Sequence, residues 1–62
     1  MSNKRMEYIA ARLDSTGSVK VAELSRELNC SEVTIRSDIQ KLEDKGLAKR
    51  IHGGAVKAHG TL

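Results

Sequence analysis

The sequence has neither phenylalanine nor tryptophan, and Tyr8 is its only aromatic residue. Proteins that hold single-stranded nucleic acid stack its bases on aromatic platforms, so a nucleic-acid partner of this chain is expected to be duplex DNA. Cysteine is equally scarce. Cys30 stands alone, which excludes an internal disulfide and, with only two distant histidines, gives no metal-ligand spacing. A free thiol fits a reducing compartment. No apolar run approaches the ~20 residues of a membrane span, and the opening MSNKRMEYIAARLDS lacks the apolar segment of a secretory signal. A soluble, cytoplasmic protein is expected. Finally, no acidic residue follows Asp44.

That last absence shapes the charge pattern. The net charge is +3 and the pI about 9.4. Residues 45–62 carry Lys45, Lys49, Arg50 and Lys57 unopposed, whereas the remaining 44 residues hold 7 basic and 8 acidic side chains. The whole positive excess therefore lies toward the C-terminus, where an anionic partner would be met. Sixty-two residues make one small domain, which buries only roughly 60% of the surface its unfolded chain exposes. Such a chain is too short to enclose a substrate cavity, and it has no paired carboxylates, Cys–His pair or phosphate loop. Neither an enzyme nor a cofactor or metal is expected.

Helical spacing comes first. Met6, Ile9, Ala10 and Leu13 predict a helix over residues 3–14, capped by Ser2 or Asn3 and stopped near Gly17. Val19–Val21 alternates as a very short strand would. Residues 22–28 return to helical spacing through Val21, Leu24 and Leu28, with Val21 as a poor N-cap and Glu23 compensating through the helix dipole. Asn29 suits the left-handed conformation of a sharp turn. Ser31 then caps a third helix, whose apolar stripe of Ile35, Ile39 and Leu42 runs to a stop at Lys45 and Gly46.

With that stripe inward, Val33, Ser37, Gln40 and Asp44 lie opposite it, and Thr34, Arg36 and Lys41 flank it. The outward face thus mixes methyls, hydroxyls and a guanidinium. After Gly46, two short segments rich in small and β-branched residues flank His52, Gly53 and Gly54, a hairpin signal whose tip Lys49, Arg50 and Lys57 border. The expected fold is mainly α: a three-helix winged helix-turn-helix with a short strand and a C-terminal β-hairpin wing, over residues 1–58. Residues 59–62 read as the start of a linker.

Helix-turn-helix and wing together suit duplex recognition: a helix N-terminus reaches base edges in the major groove while nearby cations neutralise phosphates. The segment VAELSRELNCSEVTIRSDIQKLEDKGLAKRIHGGAV, with TIRSDI, LEDKGL and RIHGGA in order, resembles the DeoR-type bacterial transcriptional regulators over roughly residues 5–57. The resemblance implies an N-terminal DNA-binding domain of a longer regulator, usually a repressor of sugar-metabolism genes. It implies too a homo-oligomer whose C-terminal domain, absent from these residues, senses a phosphorylated sugar.

On that reading Ser31, Val33, Thr34, Arg36, Ser37 and Lys41 face the major groove, while Lys49, Arg50, His52, Gly53 and Lys57 face the backbone or minor groove. Arg36 is the candidate for a bidentate contact to guanine or a contact to phosphate, and Val33 for a thymine methyl. Two positions depart from the family pattern. Ser37 stands where a second arginine is common, and Cys30 where valine is, the latter acting as a small hydrophobe.

Asp38 would be repelled by a polyanion, so it is expected to turn inward and pair with a cation such as Arg50. The alternative function is a winged helix serving protein–protein interaction or assembly. Such an interface calls for an apolar or aromatic anchor, and here Val33 and Tyr8 are separated by polar residues.

Overall fold

The computed structural model describes residues 4–58. The expected caps Ser2 and Asn3 and the linker segment 59–62 lie outside the described residues. The elements are α1 (Lys4–Thr16), β1 (Ser18–Lys20), α2 (Val21–Leu28), α3 (Glu32–Asp44), β2 (Ala48–Ile51) and β3 (Gly54–Lys57). This is the mainly helical, winged helix-turn-helix arrangement expected from the sequence.

Each helix buries the stripe that its spacing marks. Ile9 and Leu13 of α1, Val21 and Leu24 of α2, and Ile35, Ile39 and Leu42 of α3 form one core with Val19, Ala48 and Ala55 of the sheet. Met6, Ala10, Leu28 and Cys30 pack around it, half-buried. α1 runs two residues beyond the expected end. Its last turn is extended by Thr16, whose hydroxyl donates to the carbonyls of Arg12 (2.8 Å) or Ser18 (2.7 Å).

α2 begins differently from the sequence expectation. Lys20, not Val21, is the N-cap, with extended backbone and no side-chain cap bond. The first amide of the helix is instead served from a distance: the Val21 N–H donates to the carbonyl of Gly53 at the wing turn (3.0 Å). Wing and helix-turn-helix are joined at that point.

The turn into α3 follows the local code. Asn29 adopts φ 53°, ψ 50°, and Ser25 Oγ donates to the carbonyl of Cys30 (2.6 Å), bracing the three-residue connection. Ser31 Oγ then accepts the Thr34 N–H at 3.2 Å. These bonds fix the direction in which α3 leaves the turn.

The three strands form an antiparallel sheet in the order β1-β3-β2. Ile51 pairs with Gly54, so His52 and Gly53 alone form the turn, with φ 80° at Gly53. Gly54, buried, is already strand. A Cβ built on it would lie 2.1 Å from the carbonyl oxygen of Val19, so only glycine lets β3 approach β1 here. Of the paired glycines, one therefore supplies positive φ and the other supplies clearance.

Asp38 turns inward as expected, with only 1% of its surface exposed. Its partner is Arg5 of α1, not Arg50. The Arg5 guanidinium donates through Nε to Oδ2 and through Nη2 to Oδ1 (3.3 Å), and the carboxylate holds the arginine's pKa above its ordinary value. Arg50 is unavailable to Asp38 because α3's outer side holds it. A second junction ties α1 to α2: Tyr8 Oη donates to Glu27 (2.8 Å), and Arg12 donates to both (2.9 and 2.7 Å).

Candidate nucleic-acid interface

The outward side of α3 and the wing turn enclose a cleft of about 380 Å³. Arg36 stands on the helix side, Arg50, His52 and Gly53 on the wing side, and Val21 and Ile39 contribute to its lining. Four residues singled out from the sequence thus meet in one place. Their convergence follows from the register. Arg50 pairs with Ala55, which pairs in turn with Val19, and cross-strand partners share a face. Since Val19 and Ala55 point into the core, Arg50 projects on the helix side of the sheet.

Each arginine is held by a neighbour on α3. Arg36 Nη2 donates to Glu32 Oε1 at 3.0 Å, one turn back on the same helix. Arg50 Nη1 donates to Gln40 Oε1 at 2.7 Å, and the Arg50 backbone N–H donates to Glu43 Oε2 at 3.2 Å. The Gln40 amide nitrogen is in turn fixed by Asp44 Oδ1 (3.0 Å). The wing strand is thereby clamped to the C-terminal half of α3.

The remaining site candidates are distributed around this cleft. Val33 is 71% exposed at the opening of α3, while Ser31 and Thr34 hold each other through their hydroxyls (3.0 Å). Ser37 and Lys41 are exposed farther along the helix. Lys49 pairs with Val56 and so projects from the sheet face opposite to Arg50. It makes no ion pair among the described residues.

Lys57 does not border the wing tip. It pairs with Ala48 at the far end of the hairpin, where its ammonium meets Asp14 of α1 at 2.6 Å. Glu32, Gln40 and Arg5 are partners of charged groups that the sequence did not single out. Glu32 precedes Arg36 by four positions, a spacing visible in the sequence. Gln40–Arg50 and Arg5–Asp38 carry no comparable local signal.

Among the described residues no group of three or more His, Cys, Asp or Glu side chains is placed to hold a metal ion, and no helix is long and apolar enough to cross a membrane. What the cleft offers is two guanidiniums, an imidazole and a glycine backbone beside an exposed helix N-terminus. These groups can donate to acceptor oxygens and nitrogens.

This architecture is that of a winged helix-turn-helix protein. The comparison with known families makes it specific: the model of the DeoR-like helix-turn-helix domain matches residues 5–61, and the chain belongs to that family of DNA-binding transcriptional regulators. It is 41% identical over 51 residues to a lactose phosphotransferase system repressor of Staphylococcus epidermidis, covering 82% of this chain and 20% of that protein. It is 45% identical over 53 residues to the HTH-type transcriptional regulator GolR of Listeria innocua, covering 86% and 21%. With the HTH-type transcriptional regulator FruR of Bacillus subtilis the identity is 40% over 57 residues, covering 92% and 23%. The chain spans about a fifth of the length of these curated relatives. No solved structure gives a significant match.

Proposed function

We propose that these residues are the operator-reading part of a bacterial repressor of sugar-metabolism genes. In this reading α3 enters the major groove by its N-terminal turns, presenting Val33, Thr34, Arg36 and Ser37 to base edges. The wing turn lies on the adjacent backbone or minor groove, with Arg50 and His52 toward phosphate from the cleft side and Lys49 from the opposite face of the wing. The observation that carries the reading is the convergence of Arg36, Arg50 and His52 on one cleft between an outward helix and the wing. Lys57 falls outside this interface, because it lies at the hairpin base with Asp14. The repressor assignment and the sugar connection are supported by the lactose phosphotransferase system repressors among the relatives. A homo-oligomer that binds a phosphorylated sugar through a further domain completes the proposal.

Fluorescence anisotropy with a labelled mixed-sequence duplex tests the binding itself. Affinity is expected to fall steeply with salt, by a log-log slope of roughly 0.9 for each phosphate neutralised. Binding that is absent at low salt, or indifferent to salt, overturns the reading.

A further inference from the structure

Glu32 is the one interface residue that DNA binding by itself does not call for. It opens α3, and half its side chain is exposed at the end of the helix that meets the duplex. A carboxylate there repels a polyanion. The helix start already has its cap, because Ser31 Oγ accepts the Thr34 N–H. Glu32 instead reaches one turn along to Arg36, at 3.0 Å, with side-chain exposures of 48% and 54%. A pair so exposed contributes little to stability. Beyond the favourable place of a carboxylate at the positive end of the helix, its consequence is for what Arg36 can touch.

A guanidinium presents five N–H donors in a fixed fork. Glu32 takes one Nη2 donor and places a carboxylate beside the fork, and no other Arg36 side-chain hydrogen bond forms among the described residues. Two kinds of acceptor on a duplex compete for the remaining donors. A phosphate is negatively charged and is repelled by the adjacent carboxylate; the O6/N7 edge of guanine is neutral and accepts a bidentate arginine. Arg50, across the cleft, shows the contrasting arrangement. Its guanidinium is held by the neutral Gln40 amide, while the nearby Glu43 carboxylate takes its backbone N–H. Among the described residues no carboxylate bonds the Arg50 guanidinium, which suits its fork to phosphate.

We propose that Glu32 is a specificity-determining residue: it holds Arg36 for the neutral acceptor edge of a guanine in the major groove and denies the same guanidinium to backbone phosphate. The inference rests on the DNA-binding reading above and goes beyond it by assigning the two arginines to different acceptors.

The test uses the 62-residue chain and its Glu32→Gln and Arg36→Lys variants. Each is put through selection from a duplex library with a randomised centre, and through a salt series on a fixed mixed-sequence duplex. The unaltered chain selects a guanine at one position. Glu32→Gln loses that preference, binds the mixed duplex about threefold more tightly, as expected for removing one exposed repulsion, and steepens the log-log salt slope by about 0.9 as Arg36 takes a phosphate. Arg36→Lys, which keeps the charge and loses the fork, forfeits the same guanine without changing the slope. A Glu32→Gln variant that keeps both the base preference and the slope of the parent overturns the inference while leaving DNA binding intact. A parent chain that binds no duplex at all defeats the DNA-binding reading, and this inference with it.

Discussion

Replacing Gly54 by alanine adds one methyl group, and the structure gives that group nowhere to go. The new Cβ would sit 2.1 Å from the Val19 carbonyl oxygen and 3.1 Å from its carbon, both backbone atoms. Real Cβ contacts essentially never fall below 3.0 Å, so β1 and β3 must separate by about an ångström. Separation strains the pairing of Lys20 with Gly54 and the neighbouring bond from Val21 N–H to the Gly53 carbonyl. Overpacking against backbone costs about 1–3 kcal/mol, and a weakened buried hydrogen bond adds about 1 kcal/mol. A loss of about 3 kcal/mol is a large share of the few kcal/mol that hold a domain of this size. At about 4–8 °C per kcal/mol, the melting temperature falls by roughly 12–24 °C. Gly53→Ala is the control. Its Cβ meets nothing within 4 Å, and its cost comes from φ 80° alone, about 1–2 kcal/mol. Circular dichroism melts of both variants decide the matter. A Gly54→Ala protein that melts within a few degrees of the parent, or above Gly53→Ala, refutes the argument.

The charged junctions give further predictions. Arg5→Ala strands the buried Asp38 carboxylate and lowers the melting temperature, and adding Asp38→Asn recovers part of the loss; a double variant less stable than the single one contradicts the pairing. The Lys57 ammonium holds Asp14 below its ordinary 3.8, and the Tyr8 hydroxyl followed by Arg12 holds Glu27 below its ordinary 4.5. Because both values are lower folded than unfolded, the unfolded chain takes up protons first as the pH falls. Their contribution is full above about pH 5.5 and is lost as the pH drops through the depressed values. Carboxyl carbon titration by NMR checks this, and midpoints at or above the ordinary values contradict it. Lys49→Ala lowers the salt slope of DNA binding by about 0.9, whereas Lys57→Ala leaves it unchanged. Equal effects of the two lysines would remove the distinction between wing and hairpin base.

The parts of the fold legible in the sequence are those that neighbours along the chain determine. Asn29 adopts the left-handed conformation, Ser31 caps α3, and Ile35, Ile39 and Leu42 are buried, because turn, cap and helical spacing act within a few residues. The outward exposure of Val33, Arg36 and Ser37 follows from the same periodicity. Contacts set by tertiary placement left no such trace. Arg5 meets Asp38 across 33 positions, and Gly53 serves the N-terminus of α2 from the wing. Reading both Gly53 and Gly54 into the turn brought Lys57 toward the tip. The actual register makes Gly54 a strand residue and carries Lys57 to the hairpin base. Asp38 pairs with Arg5 and not with the expected Arg50 for a related reason. Register and helix packing together direct Arg50 to Gln40, and neither can be seen one segment at a time.

The central claim is that α3 and the wing form one face for duplex DNA. Its most direct test is an amide chemical-shift titration of the chain with a short mixed-sequence duplex at low salt, repeated at higher salt. The account predicts salt-sensitive shifts at residues 31–37 and 49–54, with Lys57 and the Tyr8–Arg12–Glu27 junction unmoved. Amides that do not respond, or shifts centred on α1 and the hairpin base, would contradict it.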